Sequence, residues 1–87
     1  MYEVLLHPDA QTVYVDADKA LAKKIARCLQ QLEQMPRSHP SIKALKGEYA
    51  GYHRYRIGDY RVIYSINDEL TQVLVVAIAH CGEAYEA

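Results

Sequence analysis

Tryptophan and phenylalanine are missing from this sequence altogether, and cysteine, proline and glycine are scarce, with two, three and four copies in 87 residues. The two cysteines, Cys28 and Cys81, lie far apart with no repeated spacing. That excludes a disulfide framework or a paired-cysteine zinc site, so a reduced, cytoplasmic setting is expected. No apolar run approaches the 18 residues of a membrane span, and Met1 to Pro8 has no basic stretch leading into an apolar one; neither membrane insertion nor secretion is expected. An excess of one charge is also absent: the formal net charge is −1. Whole-molecule attraction to nucleic acid is therefore not expected, and any basic surface must be a local patch. His7, His39 and His53 are dispersed, which argues against a metal site, and no motif calls for an organic cofactor.

What is present fits one ordinary globular domain over residues 1–87, with 51% hydrophobic and 24% charged residues. A chain of this length hides only about 60% of its surface on folding, so the core is small. Tyr2 to Leu6 reads as a buried strand ended by His7 and Pro8, and Pro8 suits the first turn of a helix running towards Val15. Thr12, Val13, Tyr14 and Val15 are weak helix formers, so that helix must lean on tertiary packing. Asp16 or Asp18 can cap a second helix, Lys19 to Met35, in which Leu21, Ile25, Cys28, Leu29, Leu32 and Met35 recur at steps of three and four. Pro36 stops it, and Arg37 to Ser41 is a loop.

Beyond Ile42, glycines punctuate runs rich in tyrosine, valine and isoleucine, giving strands at Tyr52 to Ile57, Tyr60 to Ile66 and Leu70 to His80. Gly58 and Asp59 make a two-residue connection of type II′, and Asn67 to Leu70 supplies the next turn. Val73 to Ala79 has no polar residue, as expected of a strand covered on both faces. The fold class is α+β: a short N-terminal strand and a two-helix hairpin packed on a C-terminal antiparallel sheet.

A turn at Gly58 and Asp59 pairs Arg56 with Arg61 and Arg54 with Ile63, so Arg54, Arg56 and Arg61 share a face. Like charges facing each other across a ladder repel, and a bound anion is the natural reason to keep them. A two-residue turn at Asp68 and Glu69 would align Arg61 with Val76 and bring His80 to the same face, an inference that a single bulge reverses. Tyr52 shares the parity, and Tyr85 can fold back after Gly82. Arginine, histidine and tyrosine together suit phosphodiester chemistry in RNA: guanidinium groups stabilise phosphate charge, a histidine or tyrosine moves a proton, and rings stack on bases. The plainer reading of the same pattern is a row of solvated strand residues at a partner interface. Cys28 belongs to the helical core stripe, Tyr55, Tyr60 and Tyr64 point their rings inward, and Cys81 lacks the orienting group a nucleophile needs.

The succession of strand, helical hairpin, Leu45-Lys46-Gly47, then Tyr55-Arg56-Ile57-Gly58-Asp59-Tyr60-Arg61-Val62-Ile63-Tyr64 and a last strand ending Ala79-His80 resembles the RelE/ParE superfamily of bacterial and archaeal toxins over nearly the whole chain. That resemblance implies a toxin of a type II toxin-antitoxin module, partnered by a cognate antitoxin, with the RelE branch cutting messenger RNA on the ribosome and the ParE branch poisoning DNA gyrase. By position, Arg61 resembles the family's phosphate-stabilising arginine, Arg54 and Arg56 the basic residues of the preceding strand, and Tyr85 the C-terminal tyrosine that moves a proton. The resulting expectation is a ribosome-dependent mRNA endonuclease with Arg61, Tyr85, His80 and Arg56 as its catalytic set, Arg54, Lys43, Lys46 and Tyr52 on the RNA, and no metal or cofactor. Where the family commonly reads His-Arg, this chain reads His80-Cys81. The departure keeps open a gyrase-inhibiting toxin, or a weakened member that retains only antitoxin binding.

Overall fold

A computed structural model describes residues 1–80 of the chain. Its first strand, β1 (Glu3–Leu6), leads directly into helix α1 (Pro8–Asp16), with Pro8 in the first turn and His7 as the cap, its Nδ1 accepting from the Asp9 N–H at 3.2 Å. Helix α2 (Lys19–Gln34) follows two residues later, and Asp18 caps it by accepting from the Leu21 N–H at 2.8 Å. Its apolar stripe buries Ile25, Cys28 and Leu32 completely. Met35, expected on that stripe, is instead the C-cap and is 57% exposed, because the helix ends one residue earlier.

The remaining described residues form β2 (Ile42–Ala44), a 3-10 turn at Gly47–Tyr49, β3 (Tyr52–Ile57), β4 (Tyr60–Asn67) and β5 (Gln72–His80). One sheet results, in the order β1-β5-β4-β3-β2. The C-terminal strands are antiparallel as expected, whereas β1 joins β5 in parallel, so the sheet is mixed. Strand β2 escaped the sequence reading because three residues give no measurable alternation.

Both helices lie on one face of the sheet. Tyr55, Ile57, Val62, Tyr64, Val73, Val75 and Ile78 meet Ala10, Ile25, Cys28 and Leu32 there in a single core. Burial pushes the Cys28 thiol up to about 12, so it stays neutral and acts as a small hydrophobe. The buried Tyr64 hydroxyl donates to the Pro36 carbonyl at 2.6 Å, which ties the α2–β2 loop to the middle of the sheet. Neither α1 nor α2 covers the opposite face. There Leu5 and Leu74 are register partners, each 40% exposed, so β5 is not covered on both sides as its apolar sequence implies.

Loss of core volume and loss of a buried partner make different forecasts. Leu32→Ala is expected to lower unfolding free energy by about 2–5 kcal/mol, through lost transfer energy and a residual cavity. Tyr64→Phe is expected to cost about 1–3 kcal/mol, because the Pro36 carbonyl is left buried without its donor. Urea denaturation of both variants checks the order and the magnitudes.

A second expectation concerns acid. Desolvation, followed by the Arg37 charge, lowers the proton affinity of His53, whose buried Nδ1 has no hydrogen-bond partner among the described residues and whose ring stacks on Tyr64 at 5.7 Å. The unfolded chain therefore binds this proton more readily than the folded one. The stability contribution of a neutral His53 is fully present above the ordinary histidine value of about 6.5 and is lost as pH falls from there towards the lower folded value. Melting temperature of the native chain should fall more between about pH 7.5 and 5.5 than that of His53→Phe; parallel curves would contradict this assignment.

Candidate functional site

The face opposite the two α-helices takes its chemistry from one turn. Gly58 has φ +60° while Asp59 stays out of the left-handed region, which is the type II′ pattern expected of this two-residue loop. The loop pairs Ile57 with Tyr60, Arg56 with Arg61, Tyr55 with Val62 and Arg54 with Ile63, as the sequence indicates. Tyr55, Ile57, Val62 and Tyr64 then enter the core, so Arg54, Arg56 and Arg61 must share the other face. The Arg56 N–H turns away from β4 and donates to the Ser41 carbonyl at 3.1 Å. That makes Arg56 and Arg61 a non-hydrogen-bonded pair, the kind in which facing side chains stand closest.

Strand β2 extends the basic row. Lys43 pairs with Arg54, placing an ammonium beside the guanidinium groups, a juxtaposition the sequence could not show without β2. Arg54 is steadied by donating from Nη1 to the Ser41 carbonyl at 2.9 Å, while exposed Arg56 reaches the Gly58 carbonyl only at 3.5 Å. Lys43, Arg54 and Arg56 have no carboxylate partner among the described residues. Lys46 stands outside the strand row, exposed at the start of the 3-10 turn. Tyr52, opposite Ser65, shares the basic face and is half-buried.

His80 is a correction. The β4–β5 loop spans four residues, 68–71, between the pair Asn67 and Gln72, and this alone would preserve the expected parity. Between Ile63 and Tyr64 the register then shifts by one, leaving Val76 as the surplus residue of a bulge. Beyond it Arg61 faces Ala79, and His80 faces Tyr60 on the helix side, with the two rings edge to face at 5.3 Å. His80 lines a 750 Å³ cavity there with Thr12, Asp16, Asp18, Leu21 and Tyr60, across the sheet from the arginines. Tyr85 and Cys81 lie outside the described residues. No group of three or more metal-ligating side chains is found among the described residues, and no described helix is long and apolar enough to cross a membrane.

The basic face also holds what the sequence reading passed over. Ile63, only 2% exposed, lies on this side of the sheet, and a 270 Å³ cleft around it is lined by Glu48, Tyr49, Tyr52 and Val76. Gly47, at φ +68°, opens the 3-10 turn that brings Glu48 and Tyr49 there. The signal available in the sequence was the pair of tyrosines around Gly51.

Residues 4–85 match the family described as the ParE toxin of the type II toxin-antitoxin system parDE. No curated protein matches the chain in sequence. Among solved structures, the archaeal RelE-RelB complex from Pyrococcus horikoshii holds a chain 27% identical, with a TM-score of 0.81 over 95% of this chain and 98% of that one. A toxin-antitoxin complex from Mycobacterium tuberculosis gives 29% identity and a TM-score of 0.75 over 91% and 96% of the two chains. The isolated RelE toxin of Escherichia coli, 17% identical, shares the fold with a TM-score of 0.78 over 100% of this chain and 88% of that one.

A face that sets like charges opposite each other should respond to anions. Sulfate or a short oligophosphate is expected to raise the melting temperature of the native chain, and to do so less for Arg56→Gln and Arg61→Gln. An equal rise in all three proteins would show that the ions act generally rather than at this row.

Proposed function

The chain belongs to the ParE toxin family of type II toxin-antitoxin systems, and from that premise we propose that it is a toxin that cuts messenger RNA on the ribosome, in the cytoplasm, until its cognate antitoxin covers it. One observation carries this reading: Arg56 and Arg61 face each other directly, with Arg54 and Lys43 in the adjoining row, on the face opposite α1 and α2. Side by side, such cations repel one another, and a phosphate between them turns that repulsion into binding.

In the proposed reaction the 2′-hydroxyl of the RNA attacks the neighbouring phosphorus, the bond from phosphorus to the 5′-oxygen breaks, and a 2′,3′-cyclic phosphate forms. Arg61 and Arg56 stabilise the negative charge that grows on the phosphate oxygens. Arg54, Lys43 and Lys46 hold flanking phosphates, which positions the strand without reading its sequence. Tyr52 offers a ring for a base. One proton must leave the attacking hydroxyl and one must reach the departing oxygen; Tyr85 is the proposed carrier. His80 is not assigned that role, because the Val76 bulge turns it to the helix side.

A second reading is favoured by two observations: the matched family is the ParE branch, and Cys81 stands where the resemblance expects an arginine. In this alternative the basic face binds without cutting and the target is DNA gyrase; a member keeping only antitoxin binding is its limiting case. The solved relatives described as RelE-RelB and YoeB-YefM complexes support a cognate antitoxin as partner under either reading.

Expression of the chain should arrest growth and produce new transcript 5′ ends, and Arg61→Ala should lower cutting by about a hundredfold or more. Equal cutting by both proteins would remove Arg61 from the mechanism. Intact transcripts together with lost supercoiling activity would select the gyrase reading.

A further inference from the structure

Most of the cleft beside the basic row plays no part in phosphate binding. Its floor is apolar, made by Ile63 and by Val76, the residue the bulge adds to β5. Tyr49 and Tyr52 are its aromatic lining, and Glu48 is the one charged side chain that lines it among the described residues. At 270 Å³ it can take a single flat ring system. Its placement is as informative as its shape: Ile63 faces Arg54 across the ladder and stands two residues from Arg61 along β4, a separation of about 7 Å at strand spacing.

The geometry points to a nucleobase subsite that admits adenine, cytosine or guanine in preference to uracil at one position beside the cut. This rests on the RNA-cutting reading. Aromatic side chains and an apolar floor bind the face of any base, so they give affinity with little selectivity. Glu48 supplies the selectivity. An ionised carboxylate only accepts hydrogen bonds, and an exocyclic amino group is a donor it can satisfy. Uracil has no amino group and presents carbonyl oxygens on either side of its single N–H, so its approach sets acceptor against acceptor. The same carboxylate repels phosphate, which keeps the backbone on the arginines and leaves the cleft to the base. Neither Glu48 nor Tyr49 is needed for the core: Glu48 is exposed, and both lie on the 3-10 turn outside the main cluster.

The test uses ribosomes programmed with messages randomised around the cut, with 5′ ends mapped for the native chain, Glu48→Gln and Arg61→Ala. The native chain should show uracil depleted roughly tenfold at one fixed position relative to the cut. Glu48→Gln, whose amide can both donate and accept, should cut with that depletion removed. Cutting by the native chain without a base bias, or an identical base distribution for Glu48→Gln, overturns the subsite while leaving the RNA-cutting reading in place. Absence of cutting by the native chain overturns both, and thermal melting that matches the native curve shows that Glu48→Gln is folded.

Discussion

The two-residue turn at Gly58 and Asp59 is the constraint on which both core and site depend. It fixes the β3–β4 register, and a slip of one residue would exchange the faces of every side chain on one strand. Either Tyr55 and Ile57 of β3 or Val62 and Tyr64 of β4 would leave the core while an arginine of the same strand entered it. Burying unpaired guanidinium groups is far costlier than exposing a few apolar side chains, so the alternative register is strongly disfavoured. Core packing and the arginine display are thus one specification. The left-handed φ of Gly58 matters for that reason, since it lets the turn follow the natural twist of the strands it joins.

Rigidity behind the basic face comes from contacts that would look incidental in isolation. The loop from Pro36 to Ser41 is held by the Tyr64 hydroxyl, by Gln31 donating to the Met35 and Ser38 carbonyls, and by the His39 ring stacked on Tyr55 at 5.0 Å. Arg37 grips Asp68 with both terminal nitrogens, at 3.2 and 2.9 Å, and the Tyr2 hydroxyl donates to the same carboxylate at 2.7 Å. Those hydrogen bonds hold the Asp68 carboxyl below the usual carboxylate range. The clasp joins the residue just before β1, the α2–β2 loop and the β4–β5 turn at the exposed surface. Ser41, at the far end of the loop, presents its carbonyl to Arg54 and to the Arg56 backbone. The arginines therefore stand on a backbone that is anchored at several points.

Much of this was legible in the sequence, for reasons that can be named. Helix α2 announced itself through its apolar steps and Asp18, and the hairpin through Gly58 between two β-rich runs, because both signals are local. Parallel pairing of β1 with β5 left no such trace, since residues 3 and 72 meet only in the finished fold. Strand β2 was too short to register, and with it the partnership of Lys43 with Arg54 was hidden. The β4–β5 turn illustrates a subtler limit: Asn67 accepts from the Leu70 N–H at 3.0 Å and Thr71 takes φ +53°, a conformation rarely expected of a β-branched residue. Nothing in the run Asp68-Glu69-Leu70-Thr71 marks that geometry, although the Thr71 carbonyl accepts from the Glu3 N–H that starts β1.

Val76 gives β5 an unusual kind of freedom. A strand normally commits each residue to a side for its whole length, but the surplus residue lets the stretch up to Val75 and the stretch from Ala77 follow separate allegiances. One codon gained or lost at this point would carry His80 through the plane of the sheet with no change in its own identity. Among chains of this architecture, equivalent letters near the C-terminus can therefore serve opposite surfaces, and aligned text there is a poor guide to shared chemistry unless the length of the strand is compared first.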